Sequence, residues 1–178
     1  MDNKKKSLLL LTAVAAGTAL YSILKPVKSA VVVVPDFDME RFVGEWYEIA
    51  RLDTKWSRNL KNVLLSLAWN DDDSLRLNIQ GYDMVQEKYR QRIGRLRYLD
   101  DRESGALKVS YINPFYMGYN IVSVDGDYSQ VLVFGQNLDY MCILSREKKI
   151  PEALREQYLQ YAEESGYALE ALVWTVQD

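Results

Sequence analysis

The sequence predicts an all-β fold, an eight-stranded antiparallel up-and-down β-barrel with a C-terminal α-helix packed outside it and an N-terminal hydrophobic helix. Three observations predict it. Between Gly44 and Ser145 apolar residues alternate with polar ones in short runs, the period of two that sets one side of each strand against a core. The runs are separated by NDDDS, DMVQ, DDRESG, NPFYMG, DGDYS and QN, clusters rich in residues that tolerate tight turns. From Pro151 onward the spacing of apolar residues becomes helical.

Taken in chain order, the first element is apolar. Lys4, Lys5 and Lys6 precede an uncharged run from Ser7 to Leu24, which as a helix would extend roughly 27 Å, close to the thickness of a bilayer core. Residues 1–25 are therefore either a signal anchor that stays in the membrane or a signal peptide that is removed. The length of the run and its poor A-x-A-like sites favour the anchor. The lysines would keep the N-terminus cytoplasmic and send the rest across. Residues 26–36, with Pro26 and Pro35 bracketing a valine run, form a tether, and residues 37–178 the barrel domain.

Eight strands are expected, at Glu45–Leu52, Val63–Trp69, Leu75–Tyr82, Glu87–Tyr98, Ala106–Ile112, Tyr119–Val124, Gln130–Gly135 and Asp139–Ser145. Short links make neighbours antiparallel. Closing the meander removes its free edges and leaves an interior wide enough for one small ligand. The connection 53–62 is longer than the others and holds an isolated Trp56, so it reads as a flap over one end. In PEALREQYLQYAEESG, Leu154, Tyr158, Tyr161 and Ala162 share one helix face, with Pro151 as a start and Gly166 as a stop. The tail LEALVWTVQ reads as a last short strand able to pair with the first.

Composition excludes several functions. The chain is 48% hydrophobic and 26% charged, and its 22 basic and 25 acidic residues are interspersed, so no field attracts a phosphate backbone and no nucleic-acid partner is expected. There is no histidine, which removes the usual general base near neutral pH, the commonest zinc ligand and the usual haem ligand. No cofactor or metal is expected. Cys142 is the only cysteine and has no partner for an internal disulfide.

The run FVGEWYEIAR, carrying Gly44-x-Trp46, resembles the first motif of the lipocalin family, in particular the bacterial outer-membrane lipocalins related to apolipoprotein D. Asp139-Tyr140 ahead of the last strand matches the second motif, with Leu138 where the family has Thr, and Arg146 at the end of that strand matches the third. The stretch from Ala106 to Arg146 resembles the bacterial branch almost throughout, and the likeness extends from Phe37 to Gln177. Bacterial relatives often carry an acylated N-terminal cysteine. None precedes Cys142 here, so the hydrophobic run is expected to take over the anchoring.

The resemblance implies a small hydrophobic ligand, a fatty acid or lysophospholipid, bound in the lumen and stored or transported for membrane maintenance. It implies no enzymatic activity. The expected location is the bacterial cell envelope, anchored to the membrane through the N-terminal segment with the barrel on the periplasmic or extracytoplasmic side. Gly44, Trp46, Asp139, Tyr140 and Arg146 are structural by this reading: Trp46 closes the narrow end with Arg146 across its indole, and Gly44 allows the tight approach of the chain.

With Trp46 inward, alternation selects the ligand wall. It comprises Glu48 and Ala50, then Leu65, Leu67 and Trp69, then Leu77 and Ile79, Val109 and Tyr111, Tyr119 and Ile121, Val133, and Cys142, joined by Trp56 from the flap. The alternative is a filled core without a cavity. Aromatic residues near the mouth, including Trp56, Phe115, Tyr116 and Tyr119, could meet ligand, membrane or a second subunit in a homodimer. Glu48 either orients a ligand head group or bonds a tyrosine hydroxyl. Cys142 is either a buried inert thiol or, with Tyr111, the nucleophile of a lipocalin-fold enzyme acting on an oxidised lipid.

Overall fold

Antiparallel pairing governs the domain from end to end in a computed structural model, which describes residues 31–100 and 102–178. The anchor or signal peptide expected over 1–25 and the first part of the tether lie outside the described residues. A short helix α1 (Met39–Phe42) leads into eight strands, β1 (Gly44–Leu52), β2 (Leu60–Trp69), β3 (Leu75–Asp83), β4 (Lys88–Tyr98), β5 (Ala106–Ile112), β6 (Phe115–Val124), β7 (Gln130–Phe134) and β8 (Met141–Ser145). Helix α2 (Glu152–Glu164) and a final strand β9 (Leu172–Trp174) follow. The eight expected strands, the helix after them and the short last strand are all present. β2 and β6 begin earlier than expected, at Leu60 and Phe115, so the flap shortens to residues 53–59 and NPFYMG is mostly strand.

Each strand from β2 to β8 pairs with its sequence neighbour, and β1 closes the barrel by pairing with β8 on one side and β2 on the other. The β1–β2 ladder covers only Gly44–Tyr47. Beyond it β2 diverges, and β9 takes its place beside Ala50–Leu52. Gln177 Nε2 then bridges the opened seam, donating to Glu48 O at 2.9 Å and Val63 O at 3.0 Å. The tail thus pairs with the first strand as its alternation predicted, and it fills a gap that would otherwise expose backbone groups.

Two apolar layers result. Inside lie Trp46, Leu65, Leu67, Leu77, Val109, Ile121 and Val133 with their neighbours. Outside, α2 lays Tyr158 and Ala162 over Ile49, Ala50, Val122, Phe134 and Ile143. One residue of the expected ligand wall is corrected here. Ala50 belongs to the outer layer, because a β-bulge between Glu48 and Ala50 puts Ile49 and Ala50 on the same face and turns Arg51 inward.

The closed end is built around Trp46. Asp38 caps α1, its Oδ1 accepting from Glu40 N at 2.9 Å, and Trp46 Nε1 donates to Phe42 O at 2.8 Å. Arg146 lies over the Trp46 ring with its guanidinium carbon 3.7 Å from the centroid. The same guanidinium donates to Glu45 O, Arg41 O and Val43 O at 2.6, 2.8 and 2.9 Å. Gly44 has φ of +105°, and a Cβ there would sit 3.1 Å from Arg146 Nη1, so both conformation and space require glycine. The end of the tether joins this end, with Val34 N donating to Ile121 O and Phe37 N to Glu103 O, both at 2.9 Å.

Arg146→Ala should cost about 2–3 kcal/mol, since three carbonyls lose a charged donor and the ring contact goes with it. Urea unfolding should show this with an unchanged m-value, and Arg146→Lys, which keeps one charge but no fork, should fall between. A loss below 0.5 kcal/mol in the alanine variant would contradict the role of Arg146 as the clamp of the closed end.

Candidate functional site

The open end collects the residues whose chemistry the fold does not consume. The flap 53–59, the β3–β4 and β5–β6 turns and the β7–β8 loop form its rim. Beneath them is a hollow of about 240 Å³ lined by Thr54, Val109, Tyr111, Met117, Gly118, Gly135, Gln136, Asn137, Asp139 and Tyr140. This is smaller than the roughly 300–1,000 Å³ of pockets that enclose drug-sized ligands, so it suits a slender guest. Below it, Trp46, Leu65, Leu75, Leu77, Leu96, Leu107 and Ile121 pack the lower lumen and are fully buried.

Leu65, Leu67, Leu77, Ile79, Val109, Tyr119, Ile121, Val133 and Cys142 are all buried in the inner layer, with Trp56 and Tyr111 half-buried against it. Of these, Val109 and Tyr111 border the hollow itself. Trp69 is corrected: it is 40% exposed at the closed end, where its Nε1 donates to Glu40 Oε2 at 3.0 Å, beyond the depth to which the lumen extends. Tyr140, expected to be structural, also forms part of the wall of the hollow. Asp139 is exposed on the lip and accepts from Asn137 Nδ2 at 2.9 Å.

Tyr111 occupies an unusual place. The β4–β5 ladder joins only Arg95–Tyr98 to Leu107–Ser110, and above it the two strands part. The Tyr111 ring fills the gap, so close to Gly94 that a Cβ there would meet it at 2.9 Å. Arg92, on the inner face of β4 opposite buried Ile79, holds its guanidinium carbon 3.6 Å above the Tyr111 ring and 5.8 Å from that of Trp56. Arg90, two positions earlier, reaches the Trp56 ring at 5.6 Å and pairs with Asp83 at 3.0 Å.

Glu48 is inward and buried, and among the described residues its carboxylate is held by a guanidinium and a threonine hydroxyl rather than by a tyrosine hydroxyl. Its Oε1 accepts from Arg51 Nη1 at 2.7 Å and Thr175 Oγ1 at 3.0 Å. Arg51, which the bulge turned inward, also donates to Asp53 Oδ1 at 2.9 Å and to Ser57 O at 2.8 Å. One guanidinium therefore ties β1, the flap and the C-terminal tail together. Burial pushes the Glu48 carboxyl above its ordinary range despite the opposing pull of Arg51, because taking a carboxylate from water costs more than this shared guanidinium returns.

The polar groups deeper in the lumen are phenols and a thiol. Tyr140 Oη lies 3.5 Å from Cys142 Sγ, and the Tyr119 hydroxyl is buried without a hydrogen-bond partner among the described residues. Desolvation pushes both tyrosines well upward and the Cys142 thiol to about 12. A thiol in that range is overwhelmingly protonated at neutral pH.

The raised Glu48 value has a sign. The native state holds the proton more tightly than the unfolded chain does, so stability should rise as pH falls through the folded value. The gain is complete below about 4.5, the ordinary value of the carboxyl. In Glu48→Gln this rise should vanish, while Arg51→Met, which strands a buried carboxylate, should lose about 3–5 kcal/mol at pH 7. Thermal melts from pH 7 to pH 4 would check both; an unchanged pH profile in Glu48→Gln would refute the assignment.

Comparison with known proteins gives a consistent picture. A family model described as Lipocalin-like domain matches residues 37–177. The chain is 36% identical to the outer membrane lipoprotein Blc of Citrobacter freundii, over 94% of this chain and 97% of that protein. It is 35% identical to the protein of the same name from Escherichia coli strain K12, with the same coverage. A plant relative, temperature-induced lipocalin-1 of Arabidopsis thaliana, is 26% identical over 84% of each chain. Among solved structures, lobster apocrustacyanin A1 superposes with a TM-score of 0.63 at 19% identity, covering 85% of this chain and 94% of that one. Insecticyanin from the tobacco hornworm Manduca sexta gives 0.64 at 14%, covering 84% and 86%. At such identities these two structures show the shared fold.

Proposed function

The chain belongs to the lipocalin family, and we propose that it binds a single-chain lipid, a fatty acid or lysophospholipid, through the open end of the barrel. The observation that carries this reading is the hollow between Tyr111, Met117 and Tyr140, which continues the apolar inner layer upward to the rim. Its small volume favours a single alkyl chain over a bulkier guest. Each methylene transferred there contributes about 0.8 kcal/mol.

The lipid would be stored or carried for membrane maintenance in a bacterial envelope. The names of the two bacterial relatives support that location. Those relatives are named lipoproteins, whereas no cysteine precedes Cys142 in this sequence. The uncharged run Ser7–Leu24 would serve as the anchor instead, with the barrel beyond the membrane. Intact-mass measurement of the membrane fraction should give a chain that retains residues 1–24. A mature chain starting beyond Leu24 would replace the anchor with a cleaved signal.

Native protein extracted with organic solvent should release single-chain lipids detectable by mass spectrometry. Added hexadecanoate should quench tryptophan emission, since Trp56 overhangs the mouth. Protein that carries no lipid and shows no quenching would leave the barrel a filled structural core and refute the proposal.

A further inference from the structure

A carboxylate was the inward charge expected from the sequence, but among the described residues the inward charge without an ionic partner at the mouth is a cation, Arg92. Arg92 makes no ion pair among the described residues, and its contacts are the rings of Tyr111 and Trp56. The neighbouring charges are otherwise engaged. Asp83 is held by Arg90 at 3.0 Å, Glu48 and Asp53 are held by Arg51 at 2.7 and 2.9 Å, and Asp139 bonds Asn137 on the exposed lip.

We propose that Arg92 is the head-group site of this barrel, selecting single-chain lipids whose head carries a carboxylate or phosphate over neutral lipids of the same chain length. The inference rests on the lipid-binding reading above and adds to it a residue and a charge. A guanidinium 3.6 Å above a ring is in contact through its face, so its N–H edges stay free for an anion, which they can meet in the bidentate geometry that carboxylates and phosphates favour. The ring beneath fixes the guanidinium in position and reduces the entropy lost when an anion binds.

Tyr111 belongs both to this platform and to the wall of the hollow. A chain seated in the hollow therefore brings its polar end beside Arg92. The half-buried setting weakens competition from water, and partial desolvation strengthens a charge-assisted bond.

The test compares hexadecanoate with hexadecanol, and dodecyl phosphate with inorganic phosphate, by isothermal titration calorimetry on the folded full chain at pH 7.5. Wild type should bind hexadecanoate about ten- to a hundredfold more tightly than hexadecanol. Arg92→Gln should lose most of that preference through weaker binding of hexadecanoate, and Arg92→Lys should keep part of it. Circular dichroism melts show that each variant is folded. Equal binding of acid and alcohol by wild type, or an undiminished preference in Arg92→Gln, overturns the assignment while the lipid-binding reading stands. Failure of wild type to bind any of the long-chain probes overturns both. Inorganic phosphate that competes as well as dodecyl phosphate would make Arg92 a free-anion site and overturn its role as a lipid head-group site.

Discussion

The barrel depends on one constraint, that every strand must find two neighbours, and β1 is where it is met. A meander of eight strands is closed only if its first strand pairs with its last, and β1 does so with β8 along Tyr47–Arg51. Its other side is divided between β2 near the closed end and β9 near the open end. The division lets the barrel widen toward the mouth without leaving a bare edge, since the C-terminal tail supplies the missing hydrogen bonds. The bulge in β1 falls where β2 gives way to β9, and it turns Arg51 inward to reach both the flap and the tail. Closure, widening and the buried ion network are thus consequences of how a single strand shares its neighbours.

The two ends then diverge chemically. At the closed end, the donors of Arg146 are consumed by backbone carbonyls and its face by Trp46, so that residue is spent on structure. At the open end, Arg92 makes the same kind of ring contact, but no carbonyl or carboxylate among the described residues claims its donors. Two arginines over two aromatic rings therefore do different work because of what lies at their edges. The first pins a floor, and the second leaves hydrogen-bonding capacity beside Tyr111, which is part of the wall of the hollow.

Much of this was legible in the sequence because alternation and turn residues are local signals. The eight strands, the helix on the outside and the pairing of the tail with β1 follow from period and spacing, and the Gly44, Trp46 and Arg146 motif locates the closed end. What was illegible depends on register and depth. Ile49 and Ala50 are both small or apolar, so alternation has nothing to flag the extra residue of the bulge, and Ala50 was assigned inward. Trp69 obeys parity yet lies past the lumen, since parity states the face but not the height. Met117 was missed because NPFYMG looks like a turn, although it shares the face of Tyr119 and pairs with Val109. Arg92 shares the face of buried Leu96, four residues along β4, but a strand with Arg90 and Arg92 at alternate positions does not look like the wall of an apolar cavity.

The geometry of attachment follows from where the chain joins the barrel. Val34 and Pro35 bind beside Ser104, Gly105 and Ile121, at the end closed by Trp46 and Arg146, and Val31 packs against the outer layer under α2. The described chain therefore enters the barrel at its sealed end, where Arg146 already pins the backbone. The flap, Tyr111 and Arg92 lie at the opposite end, so the entry of the chain and the hollow do not compete for the same rim.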